Sequence, residues 1–246
     1  MLAIFRKEIN GFFSSLTGYI VIIFFLLINS LFMWVFPGEW NIFDRGYAGL
    51  DTLFFISPWV FLFLVPAVTM RMIAEEKRLG TIELLYSKPI TERGIVYGKY
   101  LASVMLVILA LIPGAIYYVS VYLLGETPGN LDKGGTIGAF IGLFFLASIY
   151  ASAGIFASSL TDNQVIAFII AVVTCFFLFI GFDSFAYLPG LKEVDEFVIR
   201  LGINEHYKSM SRGVIDARDV AYFIAVIAII NEITVFNLQS RRWKKS

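Results

Sequence analysis

The chain has 246 residues, of which 59% are hydrophobic and only 15% are charged, and its mean hydropathy is +0.80. Such a chain has too few charged side chains to coat a soluble globule of this length, so its composition excludes an ordinary soluble domain and indicates an integral membrane protein. The 19 basic and 19 acidic residues cancel, which gives no basis for nucleic-acid binding, and the single cysteine, Cys175, excludes an internal disulfide and a cysteine-based metal cluster.

Residues 1–17 carry an amphipathic pattern. The apolar side chains of this segment fall on one stripe of a helical wheel, and they are Leu2, Phe5, Ile9, Phe12, Phe13 and Leu16. The pattern predicts a helix that lies in the membrane surface. A signal peptide is the alternative, but the next apolar run is too long for one and no small-residue cleavage site follows Phe36, so we expect an uncleaved anchor.

Six apolar runs follow, and each is long enough to cross a bilayer as a helix of roughly twenty residues. They are Gly18–Phe36, Thr52–Met70, Tyr100–Leu124, Gly135–Ser158, Asn163–Phe182 and Val220–Leu238. The sequence therefore predicts one all-α membrane domain with six spans. We divide it into residues 1–17 (surface helix), 18–72 (spans 1 and 2), 73–99 (polar loop), 100–182 (spans 3 to 5), 183–219 (external cap) and 220–246 (span 6 and tail).

The loop at residues 73–99 is the long polar passage in the first half of the chain. Its basic side chains, counted with the preceding Arg71, are Arg71, Lys77, Arg78, Lys88, Arg93 and Lys99. Short loops rich in lysine and arginine stay on the cytoplasmic side of a membrane. With both termini on that side too, twelve of the 19 basic residues are cytoplasmic and seven are outside, which agrees with this orientation.

Within this loop, the pattern predicts a helix of about two turns over 81–87. Thr81 is expected to cap it, Glu83 lies in its first turn and Pro89 ends it, while Thr91 begins a second helix that enters span 3. Leu79, Ile82 and Tyr86 are expected on one face, and Glu76, Gly80, Glu83 and Ser87 on another. Such a helix suits a groove on a cytosolic partner, and a solvated hairpin on lipid headgroups remains the alternative.

Two features inside the spans are candidates for a mechanism. Gly134, Gly138 and Gly142 recur every four residues, which indicates close helix packing within the subunit or at a dimer or gate interface. Glu232 is a charge well inside span 6, and its nearness to Arg241 favours a salt bridge near the inner surface over a proton relay.

The remaining polar residues suggest no catalytic centre. The 183–219 stretch, with His206, Lys192–Glu193 and Asp195–Glu196, is too polar for lipid exposure, so we expect an external cap with a helix or two. Gly94, Gly98 and Lys99 imitate a phosphate-binding loop, but the spacing is one residue short and Tyr100 replaces the serine or threonine that would hold magnesium. The sequence has neither a nucleophile-elbow motif nor a zinc-protease motif, so we expect no catalytic or metal site.

Several segments of the chain resemble ABC-2-type permeases, the membrane subunits of a class of ABC transporters. The likeness is most specific in the polar loop, at Glu75-Glu76-Lys77-Arg78, Gly80-Thr81, Glu83-Leu84-Leu85, Pro89 and Gly98-Lys99. The segments PGEWNIFD, SSLTDNQ and SRGVIDARDV are similar to the gliding-motility-associated permease subunits, with copper-enzyme-maturation permeases as relatives.

This resemblance implies that the polar loop contacts an ATPase subunit. The residues it assigns to ATPase coupling are Glu75, Glu76, Gly80, Thr81, Glu83, Leu84, Leu85 and Pro89. ATP and Mg²⁺ would then bind the partner and no cofactor would bind this chain directly. The resemblance also implies a second permease half, identical or not, and a multi-pass protein of the bacterial cytoplasmic membrane. Export or service to gliding-motility or secretion machinery is the expected role, and a membrane scaffold that moves no solute is the alternative.

Overall fold

The computed structural model describes residues 1–126, 131–186 and 195–245, and it describes the side chains of residues 1–126, 131–185 and 198–240. Thirteen helices are named here in chain order, as follows: α1 Leu2–Phe13, α2 Thr17–Ser30, α3 Ile42–Arg45, α4 Asp51–Thr69, α5 Arg71–Arg78, α6 Thr81–Tyr86, α7 Glu92–Leu124, α8 Lys133–Leu160, α9 Gln164–Phe176, α10 Phe182–Ala186, α11 Asp195–Arg200, α12 Ile203–Ser211 and α13 Ala217–Lys245. Short π-helical turns, Leu31–Val35 and Phe177–Gly181, extend α2 and α9. The described residues contain no β-strand.

In the described part of the chain, six helical segments are long and apolar enough to cross a membrane, which confirms the predicted number of spans. They are Thr17–Val35, Asp51–Arg78, Glu92–Leu124, Lys133–Leu160, Gln164–Phe185 and Ala217–Ser240, called spans 1 to 6. The end of the bundle that carries the polar loop is called the loop end, and the opposite end is called the far end. Span 3 begins at Glu92 rather than Tyr100, because the second half of the polar loop is already helical.

Span 4, formed by α8, lies at the centre of the bundle. It packs against α4, α7, α9, α12 and α13, and 72% of its most apolar window is buried. Small side chains permit this close packing: a Cβ added at Gly154 would overlap the side chain of Thr69 on α4. Spans 1, 5 and 6 are only 22–28% buried, so most of their surface is left for lipid or another chain.

The glycines of span 4 pack within the subunit. A Cβ at Gly138 would overlap the carbonyl of Met210, and one at Gly142 would lie 3.1 Å from the Cβ of Met210, so both glycines admit α12. Gly134 is exposed, and a Cβ there would meet only Asp132, its own helix cap, at 3.5 Å. The described residues support packing within the subunit, rather than a dimer or gate interface, for Gly138 and Gly142. Gly134 packs against no other helix.

The polar stretch near the far end contains helices, as expected, in its described part. Lys192 and Glu193 lie outside the described residues, as do the side chains of Asp195 and Glu196. His206 on α12 stacks on Tyr222 at 3.8 Å and its Nδ1 lies 2.7 Å from the Asp219 carboxylate, which ties α12 to the start of span 6.

Candidate functional site

The polar loop folds as two short helices joined at Gly80. Gly80 has φ +70°, a left-handed conformation that glycine adopts without the strain of a Cβ, and its N–H donates to the carbonyl of Lys77 at 3.1 Å. Gly80 thereby ends α5 and reverses the chain into α6. The predicted helix is thus present, but it runs from Thr81 to Tyr86.

Thr81 does not cap this helix, contrary to the sequence prediction. Gly80 occupies the capping position, and the Thr81 hydroxyl instead donates to the carbonyl of Glu76 at 3.3 Å, which ties α6 back to α5. The predicted start of the next helix is correct, because the Thr91 side chain accepts a hydrogen bond from the N–H of Gly94 at 3.1 Å and caps α7.

Two leucines lie exposed on the polar loop. Leu79 is 62% exposed and Leu84 is 64% exposed, while Ile82 and Tyr86 turn partly inward. Leu79 does not share their face because the turn at Gly80 interrupts the helical wheel. Of the predicted coupling residues, Gly80, Glu83, Leu84 and Pro89 are exposed, Glu75, Thr81 and Leu85 are half-buried, and Glu76 is buried.

The burial of Glu76 corrects its assignment to an exposed face. Its Oε1 accepts from Lys7 at 2.6 Å and lies 2.8 Å from the Lys99 ammonium, and Oε2 is buried with no hydrogen-bond partner among the described residues. A carboxylate desolvated in this way binds charge inside the subunit and is not available to an outside partner. Glu76 therefore serves to fix α5 in place.

Lys99 lies at the centre of this cluster, and its side chain is 0% exposed. Its ammonium donates to Glu8 Oε1 at 2.8 Å and to the carbonyl of Met72 at 2.6 Å, and it lies 2.8 Å from Glu76 Oε1 in a salt bridge. Two of the three donors of this ammonium make hydrogen bonds, and its charge is further paired with Glu76. Lys99 therefore cannot act as the phosphate ligand that its sequence context imitates.

Lys7 brings the first helix into the same cluster. Burial by itself lowers the pKa of the Lys7 ammonium, but the hydrogen bond and charge of Glu76, followed by the charge of Glu8, raise that pKa above its ordinary value. Lys7 is therefore charged at neutral pH, and two cations balance two anions. Nearby, a Cβ at Gly98 would lie 3.0 Å from the carbonyl of Met1, so this glycine lets α1 pack directly on span 3.

Ser158 joins the polar loop to span 4. The helix is interrupted at Met70, between α4 and α5. The first N–H groups of α5 therefore lack their usual helical acceptors. The Ser158 hydroxyl accepts from Ile73 at 3.0 Å and from Ala74 at 2.9 Å, and it donates to the carbonyl of Met70 at 2.8 Å. One buried hydroxyl thus caps α5 from the central helix.

Span 6 is joined to the loop end by two further polar contacts. The side-chain amide of Asn237 donates to the Ser159 carbonyl at 3.0 Å, and Lys77 of α5 donates to the same carbonyl. Glu232 accepts from Arg93 at 2.9 Å and from Tyr97 at 3.2 Å. Glu232 thus forms a salt bridge, but its partner is Arg93 of span 3; the side chains of Arg241 and Arg242, whose nearness suggested the bridge, lie outside the described part of the chain.

Comparison with known proteins agrees with this architecture. A family model described as "ABC-2 family transporter protein" matches residues 2–235. The chain belongs to the ABC-2 transporter family. No curated protein matches the chain. As an ABC-2 family member with six spans, it is a membrane permease component of an ABC transporter, and membership implies an ABC ATPase as a partner.

Sequence reasoning missed the residues that anchor the ABC-2 loop to the bundle. The sequence gives Lys7 and Glu8 no role beyond their charge, it presents Lys99 only as a basic loop residue next to Gly98, and it presents Ser158 and Asn237 as ordinary span residues. One available signal was the basic pair Lys77–Arg78 followed by Gly80, which is typical of a helix C-terminus. The partners themselves are 69 to 91 positions apart for Glu76 with Lys7 and for Lys99 with Glu8, and no local pattern reveals them.

Proposed function

We propose that this permease docks a cytosolic ABC ATPase through the exposed side of Leu79–Pro89, so that ATP hydrolysis in that partner moves the spans. The observation that supports this most is the exposure of Leu79, directly after α5, and of Leu84, within α6, on a loop whose first helix is fixed to the bundle. Apolar side chains within a polar rim are typical of an interface. The alternative, a solvated hairpin, explains neither the exposure of two leucines nor the buried ion cluster that fixes α5.

The anchoring explains how such a docking contact would reach the spans. The loop is fixed to α1 and span 3 through Lys99, to span 4 through Ser158, and to span 6 through Ser159 and Asn237. A segment held from several directions moves with those helices when its exposed side is displaced. The coupling in this proposal is mechanical and needs no ligand at the loop.

In this proposal the chemistry belongs to the partner. ATP and Mg²⁺ bind the ATPase, and this chain supplies neither a catalytic residue nor a cofactor ligand. The polar loop and both termini lie in the cytoplasm of a bacterium, as the excess of basic residues at the loop end favours. A second permease half, identical or not, completes the pathway.

The finer role that we propose is export, or service to gliding-motility or secretion machinery. The segments PGEWNIFD and SRGVIDARDV, with their likeness to gliding-motility-associated permeases, support it. Flux of a candidate substrate in vesicles that contain the permease and its ATPase separates this role from that of a scaffold that moves no solute.

The docking contact is tested by recovering the ATPase on immobilised permease at matched expression. Glu83→Lys reverses a charge on the exposed face and Leu84→Asp removes an exposed apolar side chain, and each is expected to lower recovery about tenfold or more, as hot-spot residues do. Lys88→Ala, an exposed change beyond the end of α6, is the matched control and should recover the ATPase normally. Equal recovery with all three variants would remove the docking proposal.

A further inference from the structure

A cleft opens at the far end of the bundle, between α4, the π-helical turn of span 5 and α12. Its volume is 470 Å³, within the range of ordinary ligand sites. The residues of this far cleft that matter here are Asp51, Phe55, Trp59, Phe179, Asn204 and Lys208. None of them belongs to the proposed ATPase contact, which lies at the opposite end.

The far cleft changes from polar to apolar along the direction of the spans. Asp51 is the first residue of span 2, and Trp59 lies about 12 Å deeper at the rise of an α-helix. Asp51 and Lys208 are exposed and mark the mouth, Trp59 and the buried Phe179 line the inner part, and Phe55 lies one helical turn from Asp51, between the two. Since half of the hydrocarbon core is about 15 Å thick, the inner part reaches well into one leaflet.

The walls of the cleft are held at a fixed separation. Tyr207 of α12 donates its buried hydroxyl to the carbonyl of Phe54 at 2.7 Å, which joins α12 to span 2. The rings of Trp59 and Phe179 meet edge to face at 5.8 Å, which joins span 2 to span 5. The cleft is therefore a preformed feature of the packed helices.

Among the residues that the structure describes, the charges at the mouth have only long contacts. The Lys208 ammonium is 3.7 Å from the Asp183 carboxylate, which already accepts from Asn204 at 2.6 Å. The Asp51 carboxylate is 66% exposed and lies 3.5 Å from Arg45 and 3.3 Å from the Tyr47 hydroxyl. Strong charge-assisted hydrogen bonds are 2.7–2.9 Å long, so both groups have capacity for a closer ligand.

We propose that the far cleft binds a zwitterionic phospholipid of the adjoining leaflet. Its phosphate lies at Lys208, its headgroup ammonium at Asp51, and one acyl chain against Phe55, Trp59 and Phe179. One cation and one anion at the mouth match the two charges of such a headgroup, whereas Asp51 repels a headgroup that carries only negative charge. A ligand that is polar at one end and apolar along the bilayer normal fits the gradient of the cleft. The proposal depends on the six spans and not on ATPase docking.

The test uses the full-length permease in vesicles of phosphatidylethanolamine and phosphatidylglycerol, with a trace of either lipid bearing a photoreactive acyl chain. The phosphatidylethanolamine probe is expected to label peptides that contain Trp59 or Phe179, and to do so several-fold more than the phosphatidylglycerol probe. Asp51→Asn should remove this preference, and Lys208→Ala should lower labelling by both probes about tenfold, the loss expected for one charge-assisted contact. Lys133→Ala, an exposed change at the far end outside the cleft, should label as the wild type does.

Three results would overturn the lipid proposal. One is equal labelling by the two probes in the wild type, and another is a preference that survives Asp51→Asn. The third is efficient crosslinking between two copies through cysteines placed at Phe55, with no lipid label at Trp59, which would assign the cleft to a second copy of the chain. ATPase recovery by Asp51→Asn and Lys208→Ala should equal that of the wild type, so a failure of this proposal is distinct from a failure of docking.

Discussion

Lys99 on span 3 and Glu8 on α1 lie 91 positions apart and are joined by a 2.8 Å salt bridge in which the ammonium is fully buried. The same ammonium binds Glu76, so one side chain fixes the first helix, the end of span 2 and the start of span 3 to one another. The loop end of the molecule is therefore organised around a lysine that the sequence presents as one more surface cation.

Replacing Lys99 should be the most destabilising single charge removal at the loop end. Lys99→Met leaves Glu8 and Glu76 with Lys7 as their only cation in the cluster, and loss of one member of a buried ion pair costs about 3–5 kcal/mol. The measurement is the midpoint of thermal unfolding in detergent, with Lys88→Met, an exposed lysine of the same loop, as the control. Adding Glu76→Gln to Lys99→Met should restore part of the loss. A midpoint for Lys99→Met equal to that of the control would contradict the arrangement.

The sequence predicted the six spans because a membrane span is a local property. Roughly twenty apolar residues in a row are sufficient to identify one, and the predicted runs differ from the observed helices chiefly where polar residues extend a helix beyond the bilayer, as at Glu92–Lys99. The all-α class and the position of the polar loop follow from the same runs.

The details of the loop were less predictable because they depend on residues distant in the chain. A helical wheel drawn through Glu76 and Glu83 placed both on one exposed face, but Gly80 breaks the helix between them and Glu76 turns inward to Lys7 and Lys99. Likewise Thr81 has a capping side chain by type, yet the left-handed Gly80 occupies the capping position. Hydrogen bonds to partners far along the chain, rather than local propensity, decided both outcomes.

Two glycines of span 4 should respond differently to the same substitution. Gly138→Ala places a methyl group against the Met210 carbonyl and the Cα of Gly213, so α12 must shift, at a cost of about 1–3 kcal/mol for overpacking. Gly134→Ala meets only the Asp132 side chain at 3.5 Å and should be neutral or slightly stabilising, because alanine favours a helix. Thermal unfolding of the two variants in one detergent measures the difference. Equal midpoints would show that α12 does not pack on span 4 as described.

Glu232 should behave as a surface salt bridge rather than as an intramembrane relay. Its side chain is 43% exposed and that of Arg93 is 69% exposed, and pairs of this kind contribute about 0–1 kcal/mol. We therefore expect Glu232→Gln to insert normally and to keep most of its transport or ATPase-stimulating activity. A double-mutant cycle with Arg93→Ala should give a coupling of a few tenths of a kcal/mol. Complete loss of activity in a normally assembled Glu232→Gln permease would instead indicate an ion site.

The orientation of the bundle is tested with single cysteines at its two ends. Cys175 is buried in span 5, so Cys175→Ser gives a background without a native thiol. Ser87 lies at the loop end and Lys133 at the far end, and both are exposed, so cysteines at these positions are accessible to a reagent on their own side. In intact cells, a membrane-impermeant maleimide should label Lys133→Cys and not Ser87→Cys, because the excess of basic residues retains the loop end in the cytoplasm. After cell lysis both variants should react. Labelling of Ser87→Cys in intact cells would reverse the topology and place the proposed ATPase contact on the wrong side of the membrane.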